Sequence, residues 1–108
     1  MRIQFYTLQK SFGPGIAKLL QRVEERHSLR AAAISMDMAY SKAWTMVRSC
    51  EEGLEIKLLQ SSTGGRNGGG AVLTPEAKQL LELYLQYCRT VNDFAQQDFE
   101  KTFGPMLK

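Results

Sequence analysis

A mainly helical α+β fold with one small β-hairpin follows from three features of this sequence. Apolar residues recur at helical spacing in four separate stretches, the last of them about 29 residues long. Two short helices are joined by a tight turn, Met36-Asp37-Met38. Then five glycines, Gly64, Gly65, Gly68, Gly69 and Gly70, crowd into seven residues between the β-like runs Leu54–Gln60 and Ala71–Leu73. A tight helix pair followed by a glycine-rich hairpin is the pattern of a winged helix-turn-helix with a long C-terminal dimerisation helix.

Residues 2–8 alternate weakly, with Ile3, Phe5 and Leu8 against Arg2, Gln4 and Thr7, and predict a short strand that Phe12-Gly-Pro-Gly15 breaks. The first helix is expected over residues 14–27. Its stripe Ile16, Leu19, Leu20, Val23 has the i, i+3, i+4, i+7 spacing of one buried face.

Ser28 is an N-cap residue for a short alanine-rich helix, Leu29–Ser35. Small side chains let its backbone approach a crossing helix. The third helix is expected from Ala39 to Glu52, with Gly53 as the residue just past its end. One of its faces is apolar: Tyr40, Ala43, Trp44, Val47 and Cys50. The other, with Ser41, Lys42, Thr45, Arg48 and Ser49, is short, hydrogen-bonding and basic. It is either a solvated face or a set of side chains suited to base edges and phosphates in a major groove. Trp44 is read as core. Tyr40 is either core or a phosphate contact. Arg30, near the start of the second helix, is a candidate for a flanking phosphate.

The hairpin is expected over residues 55–62 and 71–73. Its glycines do not fit a nucleotide cradle, since no Gly-Lys-Ser/Thr follows and no GxGxxG opens a helix. That leaves a DNA-contacting wing, with Thr63, Arg66 and Asn67 as contacts, or a plain flexible hairpin. Thr74 then caps a helix with Pro75 at its first position and Glu76 in its first turn, and nothing breaks the pattern before Gly104-Pro105. Some 29 residues at 1.5 Å each span roughly 43 Å, longer than a small body can cover. Leu80, Tyr84, Tyr87, Val91, Phe94, Phe99 and Phe103 are therefore expected to meet a second copy of the chain.

The whole reads as one domain, residues 1–108, with a DNA-binding body and wing over 1–74 and the long helix over 75–103. No stretch reaches the roughly 20 apolar residues that span a bilayer, and the N-terminus has no apolar signal region. A cytoplasmic, nucleoid-associated protein is expected. Residues 1–74 carry ten Lys/Arg against six Asp/Glu, and residues 75–108 four against five. A basic first part and a near-neutral tail suit a DNA-facing body and a protein-facing helix.

No enzyme, cofactor or metal site is expected. His27 is the only histidine, and no nucleophile is arranged around it in sequence. The pairs Glu24-Glu25 and Glu51-Glu52 point to different sides of their helices and read as solvated ends. Cys50 and Cys88 read as buried free thiols, and the five methionines as core and turn packing.

Four segments resemble the DNA-binding domain of the ModE-type molybdate-responsive transcription regulators, relatives of the LysR-type winged-helix domain. They are Phe12-Gly-Pro-Gly15, Ser28-Leu-x-Ala-Ala-Ala33, Met38-Ala-Tyr-Ser-Lys-Ala-Trp44 and Ser62-Thr-Gly-Gly-x-x-Gly-Gly-Gly-Ala-x-Leu-Thr-Pro75, and together they span roughly residues 12–85. The resemblance implies a dimeric regulator with its recognition helix at Ala39–Ser49, its wing at Thr63–Gly70 and dimerisation on the C-terminal helix. Asp37 stands where that family usually has Gly, and Asp tolerates a positive φ better than most residues. Ser41 stands where the family often has a basic residue, which points to a different target sequence. The sequence holds no counterpart of the family's molybdate-binding domains, so no oxyanion site is assigned to it.

The expected partners are double-stranded DNA with a pseudo-palindromic site and a second copy of the chain. The alternative is an adaptor that dimerises through the C-terminal helix with a larger regulator. A small-molecule effector would need a pocket between the dimer helices, for which no residues stand out.

Overall fold

A computed structural model describes residues 5–6, 10–62 and 70–107, with the side chains of residues 5, 6, 10 and 11 left aside. In chain order the elements are β1 (Phe5–Tyr6), β2 (Lys10–Phe12), α1 (Pro14–Arg26), α2 (Leu29–Ser35), α3 (Tyr40–Leu54), β3 (Leu59–Ser62), β4 (Gly70–Leu73) and α4 (Pro75–Phe103). The mainly helical α+β class is borne out. β1 and β2 pair antiparallel, as do β3 and β4, the latter in the register Leu59↔Leu73 through Ser62↔Gly70.

The N-terminal strand expected over residues 2–8 is instead a minimal hairpin. Phe12 ends β2 and pairs with Phe5, and its ring is driven into the core at 1% exposure. Residues 2–4 and 7–8 lie outside the described residues. Pro14 then opens α1 at a position where its missing N–H costs nothing.

The core is built on α1, whose Ile16, Ala17, Leu19, Leu20 and Val23 are all buried. Against them lie Leu29, Ala32 and Ala33 of α2, Ala43, Val47 and Cys50 of α3, Leu58, Leu73, and Ala77, Leu81 and Tyr84 of α4. Each fully buried Leu or Val contributes roughly 1.5–3 kcal/mol. Ala32 and Ala33 are 0% exposed, and that absence of bulk lets α2 lie close to both α1 and α3.

Two boundaries differ from expectation. α3 runs through Gly53 to Leu54, and the left-handed residue beyond it is Glu55, φ 57°. Residues 55–58 are not strand, because their backbone is committed elsewhere. The Leu58 amide donates to Glu51 Oε2 at 2.7 Å, the Thr74 amide donates to the Leu58 carbonyl at 3.0 Å, and Thr74 Oγ1 donates to the Lys57 carbonyl at 2.6 Å. Glu51 is thus a half-buried acceptor, not a solvated end.

α4 has the expected bounds. Thr74 Oγ1 accepts from the Ala77 amide at 3.0 Å, and Pro75 and Glu76 occupy its first turn. Its buried residues all lie in its first ten positions. The rest projects from the body, which gives the molecule its 59 × 29 × 23 Å extents. Tyr84, expected to face a second copy, is 3% exposed and packs edge-on against Phe12, with ring centroids 5.0 Å apart. Helical spacing places Tyr84 on the apolar stripe, but the distant Phe12 decides which part of the stripe the body covers.

Candidate nucleic-acid interface

The turn between α2 and α3 is set by hydrogen bonding. The Met38 amide donates to the Ala33 carbonyl at 2.9 Å and the Asp37 amide to the Ile34 carbonyl at 3.0 Å, the double bond of a Schellman cap. Asp37 takes the left-handed position, φ 53°, as its place in the turn suggests. At the other end of α2, Ser28 Oγ accepts from the Ala31 amide at 3.0 Å. With both ends fixed, Ala32, Ala33, Ala43 and Val47 lock α2 across α3.

Burial of Ala43, Val47 and Cys50 turns the opposite side of α3 outward. Ser41, Lys42, Thr45, Arg48 and Ser49 are all exposed there. The first three turns of the helix carry two cations and no carboxylate.

Tyr40 and Trp44, one turn apart, line the flank of this face. Trp44 corrects the sequence reading, since its indole is 47% exposed and not core. Spacing alone makes the apolar stripe of α3 too wide. The buried strip is Ala43–Val47–Cys50, and the two aromatics lie beside it. Each is held by a guanidinium: Arg48 lies 4.8 Å from the Trp44 ring centroid, and Arg30 of α2 lies 4.4 Å from that of Tyr40. Tyr40 is 39% exposed, which resolves its two readings in favour of the surface.

Between this flank and the hairpin runs a cleft of about 430 Å³. Arg30, Tyr40 and Trp44 form one wall, and Lys57, Leu59, Gln60, Ser61 and Gly70 form the other. The hairpin is held there by the Ala71 amide, which donates to the His27 carbonyl at 3.0 Å. His27, exposed and left-handed at φ 56°, caps α1. A Cβ on Gly70 would lie 2.9 Å from Ser62 Cβ, so only glycine lets β4 sit this close. Lys57 has no counterpart among the residues singled out from the sequence, where it was one cation in an expected strand. Thr63, Arg66 and Asn67 lie outside the described residues.

On α4, Tyr87, Phe94, Phe99 and Phe103 are exposed, and Leu80 and Val91 are half-buried. Phe99 and Phe103 pack on each other with centroids 5.1 Å apart. Met106 and Leu107 extend the apolar surface, so not every methionine serves the core; Met36, Met38 and Met46 do pack against it.

Cys50 is buried and Cys88 half-buried, both as free thiols. Burial, reinforced by the neighbouring Glu51 charge, pushes the Cys50 thiol up to about 11, so it is protonated and inert near neutrality. Among the described residues no group of three His, Cys, Asp or Glu side chains is placed to hold a metal ion, and no helix is long and apolar enough to cross a membrane.

Residues 17–78 match the family of bacterial regulatory helix-turn-helix proteins, lysR family. The chain is 35% identical over 71 residues to the transcriptional regulator ModE of Haemophilus influenzae, a match covering 66% of this chain and 28% of that protein. It is 34% identical over 77 residues to the DNA-binding transcriptional dual regulator ModE of Escherichia coli K12, covering 70% and 29%. The matched segment therefore spans less than a third of the length of either relative. Among solved structures, the protein of the BenM_DBD/catB site 1 DNA complex superposes with a TM-score of 0.58 at 21% identity, covering 83% of this chain and 92% of that one. That likeness shows a shared winged-helix fold.

Proposed function

We propose that this chain, which belongs to the lysR family of bacterial regulatory helix-turn-helix proteins, is a cytoplasmic, sequence-specific DNA-binding transcription regulator that acts as a homodimer. α3 enters the major groove, and the glycine-rich hairpin lies on the adjoining backbone or minor groove. The observation that carries this reading is the outward face of α3, where Ser41, Lys42, Thr45, Arg48 and Ser49 are all exposed with no acid among them. Arg30 and Tyr40 extend it toward the hairpin, where Thr63, Arg66 and Asn67 are assigned the tip contacts. These are charge-assisted and neutral donors of the kinds that grip phosphates and read base edges.

The second half of α4 supports the dimer. Phe94 is 69% exposed and Phe99 52%, an apolar surface that a second α4 would cover. Tyr84 drops out of this interface, and Leu80, Tyr87, Val91, Phe94, Phe99 and Phe103 remain. Two-fold symmetry then calls for a pseudo-palindromic site with half-sites about 34 Å apart or a multiple of that.

The test is a selection of fragmented genomic DNA on the purified protein, washed at rising salt and sequenced. A shared pseudo-palindrome that survives the higher-salt washes is expected. Retention only at low salt, with no common sequence, would sink the specific-regulator reading and leave a basic surface alone.

A further inference from the structure

We propose that Phe12, standing against Tyr84, sets the separation of the two half-sites that a dimer of this chain accepts; this rests on the DNA-binding dimer proposed above. The pair acts on specificity without touching DNA. Three observations point to it.

The first is where the contact lies. Ala77, Leu81 and Tyr84 are the buried residues of α4, and Tyr84 is the last of them. Whatever holds Tyr84 therefore governs the direction in which the rest of the helix leaves the body. The Phe12 ring meets it edge-on, with the two planes at 68°.

The second is what stands behind Phe12. It ends β2, which packs on both α1 and α3. Pro14, two residues on, opens α1 with its φ locked by its own ring. Phe12 thus has a firm footing on the side of α3, the helix assigned to the major groove. Its ring carries that footing to α4, the helix assigned to the second copy.

The third is leverage. At 1.5 Å per residue, Ala77 lies roughly 10 Å along the axis from Tyr84 and roughly 39 Å from Phe103. A sideways shift of about 1 Å at Tyr84, pivoting on Ala77, becomes about 4 Å at the far end of the helix. That exceeds the rise of one base pair, about 3.4 Å. Two-fold symmetry imposes the shift on both half-sites. An edge-to-face aromatic pair has a defined geometry, which an aliphatic side chain at Phe12 would not reproduce.

The experiment uses the full chain and duplexes carrying the half-site recovered from the genomic selection. One duplex holds a single half-site. The others hold two, inverted, with the separation varied one base pair at a time. Fluorescence anisotropy gives the affinity for each. A dimer gains affinity from a second half-site only where its geometry reaches both, so the parent should favour one separation over its neighbours by about tenfold. Phe12→Leu should flatten that preference to about threefold or less, or move it to another separation. Its affinity for the single half-site, and its dimerisation in sedimentation velocity, should match the parent. Phe12→Met, with a flexible side chain that fills irregular space, takes its place if the leucine variant does not fold. Val23→Ala truncates a buried residue of α1 and controls for lost stability; it should keep the parent's profile.

A Phe12→Leu dimer with the parent's profile overturns the assignment and leaves DNA binding standing. So does a Val23→Ala dimer whose profile flattens as much, since the effect would then be general loosening of the core. A parent dimer that binds half-sites but prefers no separation also overturns it. A parent that binds no half-site, or sediments as a monomer, overturns the dimeric regulator and this assignment together.

Discussion

Glu51 Oε2 accepts the backbone amide of Leu58 at 2.7 Å, and this bond ties the end of α3 to the chain that leads into the hairpin. Leu58 is 0% exposed, so its amide has no recourse to water. Glu51→Ala leaves that donor unpaired and should lower stability by about 1–3 kcal/mol. Glu51→Gln, which keeps an acceptor oxygen, should cost less. Urea unfolding midpoints at constant m-value separate the two. Equal loss in both variants would show that the charge, not the hydrogen bond, matters.

Asp37 bears the left-handed turn between α2 and α3 at φ 53°. Asp37→Gly should leave stability unchanged or raise it, whereas Asp37→Ala should cost about 1 kcal/mol. Thermal or urea unfolding of the two variants is the check, and an alanine variant as stable as the glycine one would refute the account of the turn.

The aromatics of α4 should divide into two classes. Tyr84 is buried against Phe12, so Tyr84→Ala should destabilise the protomer by about 3–5 kcal/mol, the usual cost of emptying a large aromatic site. Phe94→Glu and Phe103→Glu lie on exposed surface and should leave the protomer folded. If α4 pairs two copies, sedimentation velocity will show those glutamate variants as monomers at concentrations where the parent is dimeric. A parent chain that sediments as a monomer would remove the dimer from the proposed function.

Cys50 makes stability fall at alkaline pH. Its thiol pKa is raised in the folded state to about 11 from 9.0, first by burial and then by Glu51. The folded protein therefore keeps a proton that the unfolded chain gives up between those values. The contribution is fully present below about 9 and is lost as pH rises through about 11. The difference in unfolding free energy between the parent and Cys50→Ala should shrink across that window. A thiol reagent at neutral pH should modify Cys88 well before Cys50.

Much of this architecture was legible because local rules agreed with the fold. The Thr74 cap, Pro75 and the unbroken pattern to Phe103 fixed α4 at both ends. The stripe from Ile16 to Val23 named the buried face of α1, and Asp37 marked the left-handed turn. What the sequence hid depends on partners far along the chain. Tyr84 is claimed by Phe12, Leu58 by Glu51 and Thr74, and Ala71 by His27. Trp44 was missed for a different reason. Periodicity finds the direction of an apolar stripe but not its width, and the buried strip of α3 is made of three small or medium residues, Ala43, Val47 and Cys50.

The Thr74 amide on the Leu58 carbonyl pins the hairpin at its root, and the Ala71 amide on the His27 carbonyl holds β4 against the corner of α1 and α2. The hairpin's direction is thus tied to the corner between α1 and α2. Both bonds lie outside the segment between Ser62 and Gly70. Lengthening that segment, or exchanging its sequence for a relative's, should leave both bonds, and with them the aim of the strands, unchanged.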